Sequence, residues 1–274
     1  MRISKKKLII FSFILLTIIV GVLIVFRSKE EIKRPILEEG KLEEGKIEIE
    51  EKSLLKKGID FLLVTDEKFV GGATYLVKKL NEICNDERLE KLWKDKIDED
   101  IGEQKFLLRL YDSAYQYPDI SNLENISHLN TRLVAKAAYC ENFSFENVIS
   151  DISKIERNGG YNSTHILLAL AIMKEKDCYD KKLLNPLINE LVKDLIITQN
   201  KEGKPENLPN LCNPSYLDIY AERAAVIGYA GYPIKGVWVE NILRCQAENG
   251  SWFDSPHTTS LALWAITQKN KNCQ

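Results

Sequence analysis

Gln246-Ala-Glu-Asn-Gly250-Ser-Trp252, with Pro256-His257-Thr258-Thr259 just beyond it, is the stretch that decides the fold. Ahead of it, from Ile242, the chain reads as amphipathic helix. After it, Leu261-Ala-Leu-Trp-Ala-Ile266 is apolar on every side, so it must be surrounded by protein or line a cavity. Between the two, Gly250 allows a positive φ at the end of one helix, and Thr258 is placed to cap the next by accepting a backbone N–H. Trp252 is expected to lie over the turn, with the Gln246 amide bonding backbone groups that helix ends leave unpaired.

The same order recurs upstream. Asp151 to Thr164 reads as amphipathic helix, then the turn Glu156-Arg-Asn-Gly-Gly160-Tyr161, then Thr164 opening the apolar run Ile166-Leu-Leu-Ala-Leu-Ala-Ile-Met173. Leu183, Leu184, Leu187, Ile188, Leu191, Val192, Leu195 and Ile196 form one apolar stripe opposite Asn189, Glu190, Lys193 and Asp194. A weaker copy of the turn, Gln199-Asn-Lys-Glu-Gly203, follows that stripe and leads towards a helix near Tyr216. Gly71-Gly72 before Thr74, and the loop from Asp112 to Asn130 before Thr131, add two more. Five copies at a mean spacing of about 46 residues predict an all-α protein of five helical hairpins, apolar helices inside and amphipathic ones outside. The one alternating segment, Lys46-Ile-Glu-Ile-Glu50, is too isolated to make a sheet.

The Gln246–Trp252 motif resembles the Q-x-x-x-G-x-W repeat of squalene and other triterpene cyclases, and Pro256 to Trp264 is similar to inner-helix starts there and in protein prenyltransferase β-subunits. The resemblance covers about the last 120 residues well and implies an α/α toroid. It implies no particular activity, because one fold hosts many. The Asp-x-Asp-Asp acid of the cyclases has no counterpart; Asp98-Glu99-Asp100 is the nearest run and reads as a solvated helix end. The Asp-x-Cys pair that helps hold zinc in prenyltransferases is also missing, although His257 matches the position of their histidine. No metal and no cofactor is therefore expected, and a zinc site would need unrelated ligands such as Asp218 or Cys212.

At the other end of the chain, Leu8 to Phe26 holds no charge and at about 1.5 Å per residue spans roughly 28 Å, the thickness of a bilayer core. Arg2, Lys5, Lys6 and Lys7 precede it, whereas its other flank mixes Arg27, Lys29, Lys33 and Arg34 with Glu30 and Glu31. The positive-inside rule then predicts residues 1–7 in the cytoplasm, a single-pass signal-anchor over 8–26, a charged linker over 27–52, and the toroid over 53–274 outside the cytoplasmic membrane. The duplicated Leu37-Glu-Glu-Gly-Lys41 and Leu42-Glu-Glu-Gly-Lys46 belong to the linker.

Setting aside the four N-terminal cations leaves 34 basic against 40 acidic residues, which argues against a nucleic-acid partner. Cys84, Cys140, Cys178, Cys212, Cys245 and Cys273 are even in number, and the sequence leaves open whether they are buried thiols or disulfides in one of 15 pairings. Asn125, Asn142, Asn162 and Asn249 begin glycosylation sequons, in keeping with an external domain. There is no Gly-rich phosphate loop, Cys-x-x-Cys, His-Glu-x-x-His or Gly-x-Ser-x-Gly.

The polar groups that need explaining lie on the expected inner helix Tyr216-Leu-Asp218-Ile-Tyr220-Ala-Glu222-Arg223. Asp218 and Glu222 are four apart and share a face, so two carboxylates can enter a cavity, the requirement of glycoside hydrolysis. With His257 they are the candidate catalytic groups, and Tyr220, Arg223 and Asp254 the candidate ligand contacts. The competing account pairs Arg223 with both carboxylates as a structural counter-ion. His165, following Thr164 at a helix start, reads as a hydrogen-bonded structural residue. Two functional expectations result: a membrane-tethered toroid that binds a protein or ligand without terpene-cyclase activity, or an enzyme acting on a glycan or lipid-linked substrate.

Overall fold

The computed structural model describes residues 44–102, 104–271 and 273, with side chains from Glu51 onward. The expected cytoplasmic tail 1–7, membrane segment 8–26 and most of the linker lie outside the described residues. Among the described residues every regular element is helical, and no helix is long and apolar enough to cross a membrane. The elements are α1 (Glu44–Val64), α2 (Ala73–Cys84), α3 (Glu87–Ile101), α4 (Leu129–Ala138), α5 (Phe145–Ile152), α6 (Tyr161–Glu175), α7 (Lys181–Glu202), the single turn α8 (Leu208–Leu211), α9 (Pro214–Tyr229), α10 (Gly236–Leu243) and α11 (Pro256–Asn270). Short 3₁₀ segments include Lys105–Leu110 and Ile120–Asn125. Ile47 to Gln274 forms one compact unit.

The two kinds of helix expected from the sequence are both present. From Leu217 to Gly228, α9 is buried on every side, and α11 is buried from Thr258 to Thr267. By contrast, α7 buries Leu184, Ile188, Leu191, Val192 and Leu195 and leaves its polar face in solvent. The apolar helices are neighbours in the order α2, α11, α9, α6, α4. The segment 105–110 packs on both α4 and α3, and α3 packs on α2. The amphipathic helices lie against this set: α5 on α4, α7 on α6 and α9, and α10 on α9 and α11. Removing this much apolar surface from water, at about 25 cal/mol per Å², is the main favourable term for such a fold.

Around Trp252 the turn is built as its residues suggest. Trp252 is fully buried, donates its indole N–H to the Ile242 carbonyl at 2.8 Å, and packs by Gly58 of α1. Gly250 has φ +89°, and a Cβ there would fall 2.2 Å from the Lys57 carbonyl oxygen, so only glycine permits this approach. The Gln246 amide donates to the carbonyls of Leu54 and Gly250, both at 2.8 Å. Gln199 does the equivalent work at its own turn, donating to the Tyr220 carbonyl at 3.0 Å.

Several local expectations need correction. The first-turn threonines do not cap their helices; the N-cap positions are Gly72, His128, Gly160 and Ser255, and the threonines lie inside the first turn. The amphipathic helix expected from Asp151 is α5, which has ended by Ile152, and α6 opens at Tyr161, before Thr164. Tyr161 is consequently the first residue of a helix and 43% exposed, whereas Trp252 precedes its helix and is buried. Helix α1 begins at Glu44 and so takes in the last part of the stretch read as linker.

All six cysteines are paired, as Cys84–Cys273, Cys140–Cys178 and Cys212–Cys245, with Cα–Cα separations of 5.0, 5.8 and 5.1 Å. The free-thiol reading is thereby overturned. The first pair fastens the end of α2 to the residues after α11, and the Lys269–Glu51 ion pair at 3.0 Å joins α11 to α1. Trp252→Ala should lower stability by about 3–5 kcal/mol in denaturant unfolding, as expected for a large buried aromatic. A loss below about 1 kcal/mol would mean that this turn is not the anchor of its repeat.

Candidate functional site

A cavity of about 340 Å³ opens where the apolar helices begin. All five contribute: Gly71, Gly72, Tyr75 and Leu76 at α2, Thr131 and Val134 from α4, Tyr161, His165 and Leu168 from α6, Glu222 and Val226 from α9, and His257, Leu261 and Trp264 from α11. Asp100, Ile101, Leu107, Leu110 and Tyr111 close the remaining side. Thr131, Tyr161 and His257 come from the first turns of their helices and Glu222 from the third turn of α9, and the apolar part of the wall includes Leu76, Val226, Leu261 and Trp264, all buried. The floor is sealed by Tyr75, with Lys79 behind it over the Tyr75 and Tyr229 rings and bonded to Glu175.

Each carboxylate at the mouth is held by a threonine hydroxyl from a neighbouring segment. Asp100 accepts the backbone N–H groups of Gly72 and Thr74 at 2.9 Å and the Thr74 hydroxyl at 2.6 Å. Gly72 sits at φ +85°, a conformation open to glycine, which turns its N–H towards Asp100. Asp218 accepts from the Thr258 hydroxyl at 2.7 Å and from the Tyr161 phenol at 2.6 Å. Thr164 donates towards Glu222 Oε1 at 2.7 Å and towards the Tyr161 carbonyl at 2.9 Å, so its one hydrogen is shared. Glu222 Oε2 is buried and has no protein partner.

These surroundings set the proton affinities. Burial raises the Glu222 pKa above the ordinary carboxyl range, against the opposing pull of His165, whose Nδ1 lies 3.3 Å from Oε1. Burial lowers the pKa of His257, and Asp218, 3.7 Å from Nε2, pulls it the other way. That separation exceeds a hydrogen bond, so Asp218 acts on the ring through charge. His257 Nδ1 is buried with no partner. The site therefore holds a carboxyl that favours its proton beside an imidazole that favours the neutral form, the arrangement from which an acid and a base are made.

Of the residues chosen from sequence, Asp218, Glu222 and His257 come together at this mouth. The other three do not face it. Arg223 turns to the outer side, where it donates to Gln199 at 3.0 Å and to Glu202 at 2.8 Å. It is therefore not the counter-ion of Asp218 and Glu222. Tyr220 is wholly buried between α9 and α10, its hydroxyl accepting from Asn241 at 3.1 Å. Asp254 holds the turn, accepting from Asn249 at 2.8 Å and Ser251 at 2.9 Å.

Sequence reasoning missed Asp100, Tyr111, Tyr161, His165 and the threonines as cavity residues. Asp100 is not a solvated helix end, because Gly102 stops α3 and leaves the carboxylate against the start of α2. The repeated first-turn threonine was the available signal. Among the described residues, the one set of ligating side chains close enough to share a metal ion is Cys140, Glu141 and Cys178, and its two sulfurs are joined to each other. No family model, curated protein or solved structure gives a significant match to the chain.

NMR titration of the side-chain carboxyls and imidazoles should find Glu222 titrating above the ordinary glutamate value of about 4.3 and His257 below about 6.5. Because the Glu222 pKa is raised, its neutral form favours folding below the unfolded value, and that contribution is lost as pH rises through the folded value. Glu222→Gln should thus flatten the alkaline side of a melting-temperature profile. Two carboxylates titrating near or below 4 would leave only a structural cluster.

Proposed function

We propose that the domain is an α/α toroid, held outside the cytoplasmic membrane by residues 8–26, whose central cavity binds a glycan or lipid-linked substrate and cleaves it by acid–base catalysis. The toroid is supported by the neighbour order of the five apolar helices and by the links that join α1 and α2 to the region around α11. Three disulfides support an oxidising compartment. With no Asp-x-Asp-Asp, the reading includes no terpene-cyclase activity.

One observation carries the catalytic part: Glu222 Oε2 and His257 Nδ1 are both buried, unpartnered and on the wall of the same cavity. A purely structural toroid would instead fill its centre with apolar side chains. In the proposed hydrolysis, Glu222 gives its proton to the leaving oxygen as the C–O bond breaks. His257 takes a proton from the water whose oxygen forms the new bond to carbon. Proton return from His257 to Glu222 through solvent restores both groups, and Asp218 steadies the imidazolium in between.

On a series of glycolipids and alkyl glycosides, release of the polar head should fall by about 10²–10⁴-fold in Glu222→Gln or His257→Asn. Asp254→Asn should act as wild type. Equal turnover by Glu222→Gln and the unaltered protein would sink the acid–base mechanism. Protease added to intact cells should remove the domain; loss only after permeabilisation would reverse the orientation.

A further inference from the structure

The geometry points to a ligand with a short apolar chain ending in an ammonium group, the chain lying between Val226, Leu261 and Trp264 and the ammonium against Glu222 at the mouth. This rests on the preceding section only in taking the cavity as the place where the ligand binds.

The charge on the wall comes first. The lining includes Asp100 and Glu222, with Asp218 directly behind the His257 ring, and it includes no lysine or arginine. Helix N-termini ordinarily attract anions. At the start of α2 that capacity is already used by the chain itself, since Asp100 takes the N–H groups of Gly72 and Thr74. An incoming phosphate or carboxylate would meet Asp100 and Glu222 on a wall without lysine or arginine.

Glu222 supplies the second, independent observation. Glu222 lines the cavity, is more than nine-tenths buried at 7% exposure, and its Oε2 has no partner. An ammonium at that atom supplies the missing hydrogen bond and the counter-charge that burial otherwise denies the carboxylate. Tyr161 and Tyr111 line the same cavity. Arg223 is bonded to Gln199 and Glu202 on the far side of α9 and acts on Glu222 only through its charge, so among the described residues His165 is the one basic side chain within 4 Å of this carboxylate.

Depth fixes the length of the apolar part. His257 and Trp264 both line the cavity from α11, and seven residues of helix span about 10 Å. That distance suits a chain of several methylenes, with its end on Trp264 and Tyr75.

Calorimetric titration of the full chain in lipid nanodiscs, with empty nanodiscs subtracted, tests this using hexylammonium, 1-hexanol and hexanoate. Hexylammonium should bind about tenfold or more tightly than 1-hexanol, a gap of about 1.4 kcal/mol, and hexanoate should not bind. Glu222→Gln should bring hexylammonium to the level of 1-hexanol. Equal binding of the amine and the alcohol, preference for hexanoate, or no binding at all would each overturn the inference, and the unaltered protein suffices for these outcomes if the variant does not fold. Selective amine binding with Glu222 titrating in the ordinary range would sink the acid–base mechanism and leave this inference standing.

Discussion

The structure depends on a constraint set by α9 and α11: from Leu217 to Gly228 and from Thr258 to Thr267 neither helix turns a side to solvent. Such a helix is stable in water only when other protein covers every side, and here that covering is divided between two kinds of neighbour. Other apolar helices lie beside them, and amphipathic helices such as α7 and α10 lie behind, turning their polar faces outward. The alternation of helix types along the chain is thus the sequence record of a packing requirement. It also explains why the connecting turns are so specific, since each must move the chain from an outer position to an inner one within a few residues. Gly250 against the Lys57 carbonyl shows how little space those turns leave.

The same constraint places the polar chemistry. First-turn threonines of α6 and α11 meet the second and third turns of α9, and hydroxyls and carboxyls satisfy one another across helices. Thr258 with Asp218 and Thr164 with Glu222 join α11 to α9 and α6 to α9. Such bonds position the carboxylates without neutralising them, which an arginine would have done. Arg223, one residue beyond Glu222 and so about 100° further round the helix, is spent on the seam with α7.

Much of this was legible in the sequence because it follows from local periodicity. The wholly apolar runs at 166–173 and 261–266, the stripe from Leu183 to Ile196, and the burial of Trp252 all needed only the spacing of residue types. Glu222, Asp218 and His257 were found by asking why charges sit on an apolar helix. What could not be read was partnership between helices. A threonine in the first turn looks the same whether it caps its own helix or bonds a carboxylate on the next one. Asp100 stood among charges that do face water, and only the end of α3 beside α2 singles it out. Tyr161 matched the turn aromatic in type, but its shorter turn made it the opening residue of α6, with its phenol reaching Asp218.

The disulfide between Cys84 and Cys273 bears on how the protein is made. Cys140–Cys178 and Cys212–Cys245 close over 38 and 33 residues, so each can form soon after its second cysteine leaves the ribosome. Cys84 has to wait for a partner 189 residues further along. At synthesis rates of about 5–20 residues per second, it spends roughly ten seconds or more as an unpaired thiol. During that interval Cys140 is the first potential partner to arrive, and a mistaken bond to it is undone only by thiol–disulfide exchange. Yield from a producing cell should accordingly follow its supply of disulfide isomerase more closely than its supply of oxidant.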